Sequence, residues 1–286
     1  MTEPRTRVYV HGGVSGTDKP LVSLAHSLVE AIAAASALDG VEEAVRRLED
    51  DSELNAGWGS VLNRNGVIEL DAGIADGATG GAGGVVGVSV RYPVSLARRV
   101  MTSTPHVLMA GEGAMALGES MEVLEGTTER QMERYRRALD SGKLEVHHFG
   151  ADEHVDTVGA VAVDSNGQLA AASSTGGVFG KLPGRVGDSA IFGAGTYASP
   201  GAAVVGTGVG ELFLETLASA RAGRLIEEGT HPQIACEHVI AYLGTRSDAA
   251  AGLLALAADG EVGAAYRGKS WAVEGPSGPL RPVHLE

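Results

Sequence analysis

Thr157 stands at the head of an apolar run, directly after a charged stretch with no period. Thr175 follows at the far end of a second apolar run, so the pattern Val158–Val163, Asp164–Gly167, Leu169–Ser173 reads as a buried β-hairpin. In a hairpin the start of the first strand lies beside the end of the second, which makes Thr157 and Thr175 expected neighbours. Next come Arg185 and Asp188, a cation and an anion three residues apart, suited to the α-carboxylate and α-ammonium of an amino acid. Gly206-Thr207-Gly208-Val209-Gly210-Glu211 then opens a helical stretch, where backbone N–H groups can hold a developing oxyanion. A threonine hydroxyl is a poor nucleophile at neutral pH and needs a base. No His or Lys lies at a telling distance. The threonine's own α-amino group, with an ordinary pKa of ~7.7–8.0, would serve if Thr157 became a chain terminus. That chemistry requires cleavage between Asp156 and Thr157.

Each of these residues also has a plainer reading. Thr175 suits an ordinary strand-end hydroxyl, and Arg185 with Asp188 a surface ion pair of small worth. The glycines at 206–210 suit close packing where a helix begins. Their GxGxG spacing is a weak dinucleotide signal, because no acidic ribose partner follows. Asn55, in Leu54-Asn55-Ala56-Gly57, suits a turn former.

The elements that must position these residues are legible in outline. Arg7–Val10 reads as a strand ending at His11-Gly12-Gly13. A helix is expected from about Pro20 to Ala37, and a second beginning at Asp39 with Val41, Ala44, Val45 and Leu48 on one face. After a loop, Glu49–Gly59, strands are expected at Ser60–Leu62 and Val67–Ala72 around an Arg64-Asn65-Gly66 turn, and again at Val85–Val90. Helices follow at about Pro93–Met101, Gly111–Leu117 and Thr128–Ser141. Residues 142–156 are rich in charge and read as an exposed connector. Their His147, His148 and His154 match no tetrahedral metal spacing closed by Cys or Asp elsewhere. In the second half, helices at about Gly210–Ala222 and Pro232–Leu243 flank another hairpin, Leu253–Ala257 and Val262–Tyr266. Local pattern thus gives an α/β or α+β protein with mostly buried sheets.

Composition sets the bounds. The 286 residues are 44% apolar but only 4% aromatic, with 42 glycines, which suits closely packed layers. A net charge of −14 disfavours nucleic acid as a partner. The one cysteine, Cys236, excludes an intramolecular disulfide and sits in an apolar stretch as a small hydrophobe. No run approaches the length of a membrane span, and the N-terminal segment lacks a secretory pattern, so a soluble cytoplasmic protein without a membrane partner is expected.

The ordered segments HGGVSG (11–16), SALDGVEEAVRRLEDDSELNAGWGSVL (36–62), ELDAGIADG (69–77), PHVLMAGEGA (105–114), HVDTVGAVAVDSNGQLAAASSTGG (154–177), KLPGRVGDSAIFGAGTYAS (181–199) and VVGTGVGE (204–211) carry a resemblance. Together they resemble the plant-type L-asparaginase/isoaspartyl peptidase family of N-terminal-nucleophile hydrolases. The resemblance implies a single-domain four-layer αββα sandwich, made as a precursor. Self-cleavage would give an α subunit, 1–156, and a β subunit, 157–286, with 142–156 a flexible linker. It implies that Thr157 is the nucleophile, supported by Thr175 and Thr207, with Thr207 and Gly208 at the oxyanion hole and Arg185 and Asp188 anchoring substrate. Asn55 matches the asparagine of the family's NAG motif, and His11-Gly12-Gly13 a turn near the cleavage point. The loop Glu49–Trp58 resembles one whose carbonyls hold a structural sodium ion in relatives. No organic cofactor or catalytic metal is implied. The expected substrate is L-asparagine or a β-aspartyl dipeptide, and the expected assembly a homodimer of cleaved αβ units.

The sequence also departs from the family. Ser52-Glu53-Leu54 replaces the usual Pro, apolar residue and Phe, and Ala265-Tyr266-Arg267-Gly268 replaces a Pro-Phe-Asn-Thr-like segment. Arg267 near the pocket would favour an acidic leaving group. A glycosylasparaginase-like or specialised amide hydrolase, or a binding protein that never matures, are the alternatives.

Overall fold

The computed structural model describes residues 6–15, 23–31, 33–142, 144, 154–155 and 157–286. In the first half, β1 (Arg7–His11) and β2 (Val14–Ser15) precede α1 (Ala25–Ala31) and α2 (Ala37–Glu49), after which come β3 (Leu70–Asp76), β4 (Gly81–Val88) and α3 (Pro93–Ser103). There follow β5 (Leu108–Ala110), α4 (Gly111–Leu117), α5 (Glu129–Asp140) and β6 (His154–Val155). The second half begins with the hairpin β7 (Val158–Val163) and β8 (Leu169–Thr175), then β9 (Thr196–Ala198) and β10 (Ala202–Gly208). After α6 (Gly210–Thr216), α7 (Ala218–Glu227) and α8 (Pro232–Gly244) come β11 (Ala251–Ala257), β12 (Val262–Arg267), β13 (Val273–Gly275), β14 (Gly278–Pro279) and β15 (Val283–His284).

Two sheets stack face to face. The first has the order β14-β13-β1-β7-β8-β3-β4-β5, and the second β15-β12-β11-β10-β9. Alternation along each strand sorts the side chains into layers. Val158, Ala160 and Ala162 of β7 join Val41, Val45 and Leu48 of α2 in one outer core. Val161 and Val163 point the other way and meet Ala203, Val205 and Leu254 of the second sheet. The far face of that sheet packs Ala202, Val204 and Leu253 against Phe213, Ala222 and Ile240 of the helices. The architecture is therefore the expected αββα sandwich. Ala and Val dominate all three cores, which explains how a chain so poor in aromatics fills them.

Several elements differ from the sequence pattern, each for a local reason. The helix expected over Pro20–Ala37 is described only as α1, and residues 16–22 lie outside the described set. It does not run into 37, because the Ser36 side chain caps α2 by accepting from the Asp39 N–H at 3.1 Å. No strand forms at Ser60–Leu62. The Val61 N–H goes to the Asn55 side chain and the Leu62 carbonyl to the Gly180 N–H, so no ladder is left for them. The next strand starts at Leu70 rather than Val67. The helix expected over Gly210–Ala222 breaks at Leu217, whose φ is +50°, and the first N–H groups of α7 bond the carbonyls of Ala194 and Gly193. The strands β2, β5, β6, β9, β10, β13, β14 and β15 were not among those expected from local pattern.

Of the connector expected at 142–156, the described parts include β6, which pairs Val155 with Val14 and His154 with Ser15. His147, His148 and Asp156 lie outside the described residues. Cys236 is buried, and burial pushes its thiol pKa up.

Candidate active site

The hairpin places the two threonines as its geometry demands. Val158 pairs with Ser174, so one step further along the ladder Thr157 comes beside Thr175. The Thr157 Oγ1 donates to Thr175 Oγ1 at 3.3 Å, and Thr175 Oγ1 also accepts from the Gly177 N–H at 3.0 Å. Both residues are buried, on the row that faces the second sheet. Asp71 of β3 continues that row, in register with Thr175.

The N-terminal turn runs past the same place. His11 pairs with Gly159, while Val14 and Ser15 pair with Val155 and His154, so 11–15 spans the expected cleavage point from both sides. The His11 imidazole is buried, and burial lowers its pKa to about 4. Its Nδ1 lies 2.9 Å from the Gly12 carbonyl, which can only accept, so Nδ1 carries the proton and Nε2 does not. The Trp271 indole donates to the same carbonyl at 2.9 Å. Trp271 comes from the divergent C-terminal segment and had no place in the expected site.

Thr207 arrives from the second sheet, at the end of β10, with its side chain facing the first sheet as Ala203 and Val205 do. Its Oγ1 accepts from the Val14 N–H at 3.4 Å, which brings it to the turn beside the cleavage point. Gly208 follows with φ +153°. A Cβ there would stand 2.7 Å from the Phe213 ring and 2.8 Å from the Ala250 carbonyl, so only glycine fits. The glycine-rich segment is thus a strand end leading into α6, rather than a free turn.

Arg185 and Asp188 are close but not partners of each other among the described residues. The Arg185 Nε and Nη2 donate to the two Glu211 oxygens at 2.9 and 2.7 Å, a bidentate pair at the start of α6. The arginine side chain is only 16% exposed, which overturns the surface-pair reading. Asp188 is buried too, and burial lifts its pKa to about 7, against the pull of Arg185 and of its own backbone N–H. Its Oδ2 has no hydrogen-bond partner among the described residues. A Cβ on Gly210 would lie 2.9 Å from Arg185 Nη2 and 3.0 Å from Asp188 Oδ1, so both groups crowd one helix start. A buried carboxyl oxygen without a donor is chemically matched to an incoming ammonium group.

Asn55 sits beside this row as a brace. Its Nδ2 donates to the Gly177 carbonyl at 2.7 Å, its Oδ1 accepts from Val61, and its carbonyl accepts from Gly176. Both ends of the side chain are thereby committed, and they hold the loop against the turn that follows Thr175. The Glu49–Trp58 loop is clamped from outside by Arg130, which donates to the Ser52 carbonyl at 2.7 Å. Carbonyl oxygens of Asp51, Ser52 and Leu54 all lie within 3 Å of where a Gly59 Cβ would stand. That convergence of backbone oxygens fits a hard cation such as sodium. Among the described residues no cluster of three or more His, Cys, Asp or Glu could hold a metal ion.

Arg267 is a correction. Its guanidinium bonds the Ser247 carbonyl and Asp248 beyond the end of α8, and its Nη1 packs on Gly244, on the outer helical side rather than in the pocket. Glu211, Asp71 and Lys181 were missed as participants. Glu211 lay in a quoted motif, four residues after Thr207, and its acidic place in the first turn of a helix was the available signal.

A four-layer sandwich with a threonine hydroxyl at the head of a central strand is the architecture of the N-terminal-nucleophile hydrolases. The comparisons agree. The family model described as asparaginase matches residues 10–275. The chain is 44% identical to the isoaspartyl peptidase of Salmonella typhimurium over 88% of this chain and 85% of that protein. It is 42% identical to the isoaspartyl peptidase/L-asparaginase of Mus musculus, over 86% and 80% respectively. It is 39% identical to the plant-type L-asparaginase of Pyrobaculum calidifontis, over 93% and 95%. The chain belongs to the asparaginase family of amidohydrolases. Among the described residues no helix is long and apolar enough to cross a membrane.

Proposed function

We propose that this chain cleaves itself between Asp156 and Thr157 and then hydrolyses the side-chain amide of L-asparagine or of β-aspartyl dipeptides. The observation that carries the reading is the Thr157 hydroxyl, buried between the sheets in a hydrogen bond to Thr175. After cleavage, the new α-amine of Thr157 takes the proton from Oγ1 as Oγ1 attacks the amide carbon. Thr207 and the Gly208 N–H stabilise the tetrahedral oxyanion. The amine returns the proton to the departing ammonia or amino group, leaving an acyl-threonine ester. Water, deprotonated by the same amine, then releases aspartate. Arg185 holds the α-carboxylate and Asp188 the α-ammonium, which fixes the amide for attack. Thr175 keeps the hydroxyl oriented, and Asn55 supports the turn behind it.

No organic cofactor or catalytic metal takes part in these steps. The carbonyls of Asp51, Ser52 and Leu54 would hold a structural sodium ion that stiffens the loop carrying Asn55. The subunits 1–156 and 157–286 remain together, because β7 and β8 lie between β1 and β3 in one sheet. The same reading has two such αβ units pairing as a dimer in the cytoplasm.

The test is the intact mass of purified protein over time, beside a Thr157→Ala control. Divided in proportion to residue number, 29.1 kDa gives fragments of roughly 16 and 13 kDa. Their appearance with Thr157 as the new N-terminus, alongside an intact control, is the expected result. Release of ammonia from asparagine and of aspartate from β-aspartyl dipeptides should follow cleavage. A parent that stays whole, or that matures and hydrolyses neither substrate, overturns the reading.

A further inference from the structure

The turn that carries Arg185 and Asp188 is fastened to one strand edge in the other half of the chain. Lys181 is buried, and its Nζ donates to the Glu69 carbonyl at 2.7 Å. The Gly184 N–H donates to the Glu69 carboxylate at 3.1 Å, and the Gly187 N–H to Asp71 Oδ2, also at 3.1 Å. Asp71 is the innermost of these fastenings. It lies at the point where the β3–β4 register slips between Leu70 and Ala72, and its Oδ1 accepts from the Gly87 N–H at 3.0 Å. Both oxygens of a fully buried carboxyl are thus spent on backbone donors, one from strand β4 and one from the Gly187 turn.

Gly187 stands between Arg185 and Asp188. A Cβ on it would lie 3.0 Å from Arg185 Nη1 and 3.9 Å from Asp71 Oδ2. The guanidinium therefore rests on bare backbone that Asp71 holds in place. Glu211 holds the Nε–Nη2 edge of the same rigid guanidinium, and the Gly187 turn supports its Nη1 end, so the two contacts together set how the plane is placed. On its other side, Asp71 is in register with Thr175, the partner of Thr157. One residue thereby sets the spacing between the nucleophile row and the substrate anchor. After cleavage it would belong to a different subunit from either.

We propose that Asp71 is a positioning residue for recognition of the substrate α-carboxylate, acting through Gly187 on Arg185 across the α/β subunit boundary. The proposal rests on the reading of Arg185 as that anchor. It separates two functions that share the site. Loss of the Asp71–Gly187 bond loosens the anchor, while the Thr157–Thr175 pair and the oxyanion hole keep their places. The effect falls on KM and only on substrates that carry the α-carboxylate.

The test uses matured Asp71→Asn protein, in which an amide of nearly the same shape replaces the carboxylate. KM and kcat are measured with L-asparagine and with 3-aminopropanamide, the same molecule without the α-carboxylate, and the affinity for L-aspartate is measured by calorimetry. The expected result is a rise in KM for asparagine of about tenfold to a hundredfold, the span of one lost hydrogen bond to a charged group. The L-aspartate Kd should rise by a similar factor, while kcat for asparagine, the rate of self-cleavage and kcat/KM for 3-aminopropanamide stay within about threefold. In an Arg185→Ala background, Asp71→Asn should add nothing further. Equal losses on both amides, slower self-cleavage, or additivity with Arg185→Ala would make Asp71 merely structural and overturn the proposal. Should Asp71→Asn fail to fold, Gly187→Ala pushes on Nη1 directly and must give the same split, and an unchanged KM there overturns the proposal equally. A parent that matures but hydrolyses neither amide refutes the function itself, a result distinct from either.

Discussion

Glu49 offers a quantitative check on the environment beneath the site. Its carboxyl is buried between α2, α3 and β8, where Oε1 accepts from the Val94 N–H at 3.0 Å. Burial raises its pKa to about 8 from an ordinary 4.5, although the Ser174 hydroxyl, the Val94 N–H and the Arg46 charge pull the other way. Between those two pH values the folded protein keeps a proton that the unfolded chain has released. Stability must therefore be greatest, on this account, below the unfolded pKa and be lost as pH rises through the folded one. At ~1.4 kcal/mol per pH unit, the loss between pH 4.5 and 8 is on the order of 5 kcal/mol. Glu49→Gln reproduces the neutral acid and cannot ionise. Chemical denaturation of parent and variant across pH 4.5–8.5 should show similar stability at the acid end. The variant should lead increasingly towards pH 8, by several kcal/mol. Asp188 and His11 titrate in both proteins, so the difference isolates Glu49. A difference that stays flat with pH would refute the assignment of a neutral, buried Glu49.

Three further outcomes follow from the geometry. Thr175→Val removes the hydroxyl that receives Thr157 Oγ1 and the Gly177 N–H while keeping the shape, so kcat for asparagine should fall by about ten- to a hundredfold, with the far-ultraviolet dichroism unchanged. Gly208→Ala forces a side chain into a φ of +153° against the Phe213 ring and the Ala250 carbonyl, so Tm should drop by several degrees, equivalent to about 2 kcal/mol or more, and activity with it; an unchanged melting curve would contradict the close packing. Arg267→Ala removes contacts with Gly244, Ser247 and Asp248 on the outer helical side, so kcat/KM for asparagine and for β-aspartyl dipeptides should equal the parent's, and a selective loss on the dipeptides would return Arg267 to the pocket.

Local pattern by itself determined which residues meet along one strand pair. The Thr157–Thr175 contact follows from the length of a hairpin, and the helices Pro93–Ser103, Gly111–Leu117 and Glu129–Asp140 lie where the sequence pattern put them. Ordered motifs added the family. The helix break at Ser36 is local, made by its own side chain capping Asp39, but the break at Leu217 and the missing strand at Ser60–Leu62 were decided elsewhere, because the carbonyls of Ala194 and Gly193 and the Asn55 side chain took their backbone groups. Tertiary structure also chose Glu211 over Asp188 as the partner of Arg185, and placed Asp71 behind Gly187, 116 residues away. It carried Arg267 outward and brought Trp271 onto Gly12. Periodicity records which face of an element is buried. Which donor meets which acceptor across the layers, and how strongly burial displaces a pKa, depends on groups far apart in the chain that only the packed sheets bring together.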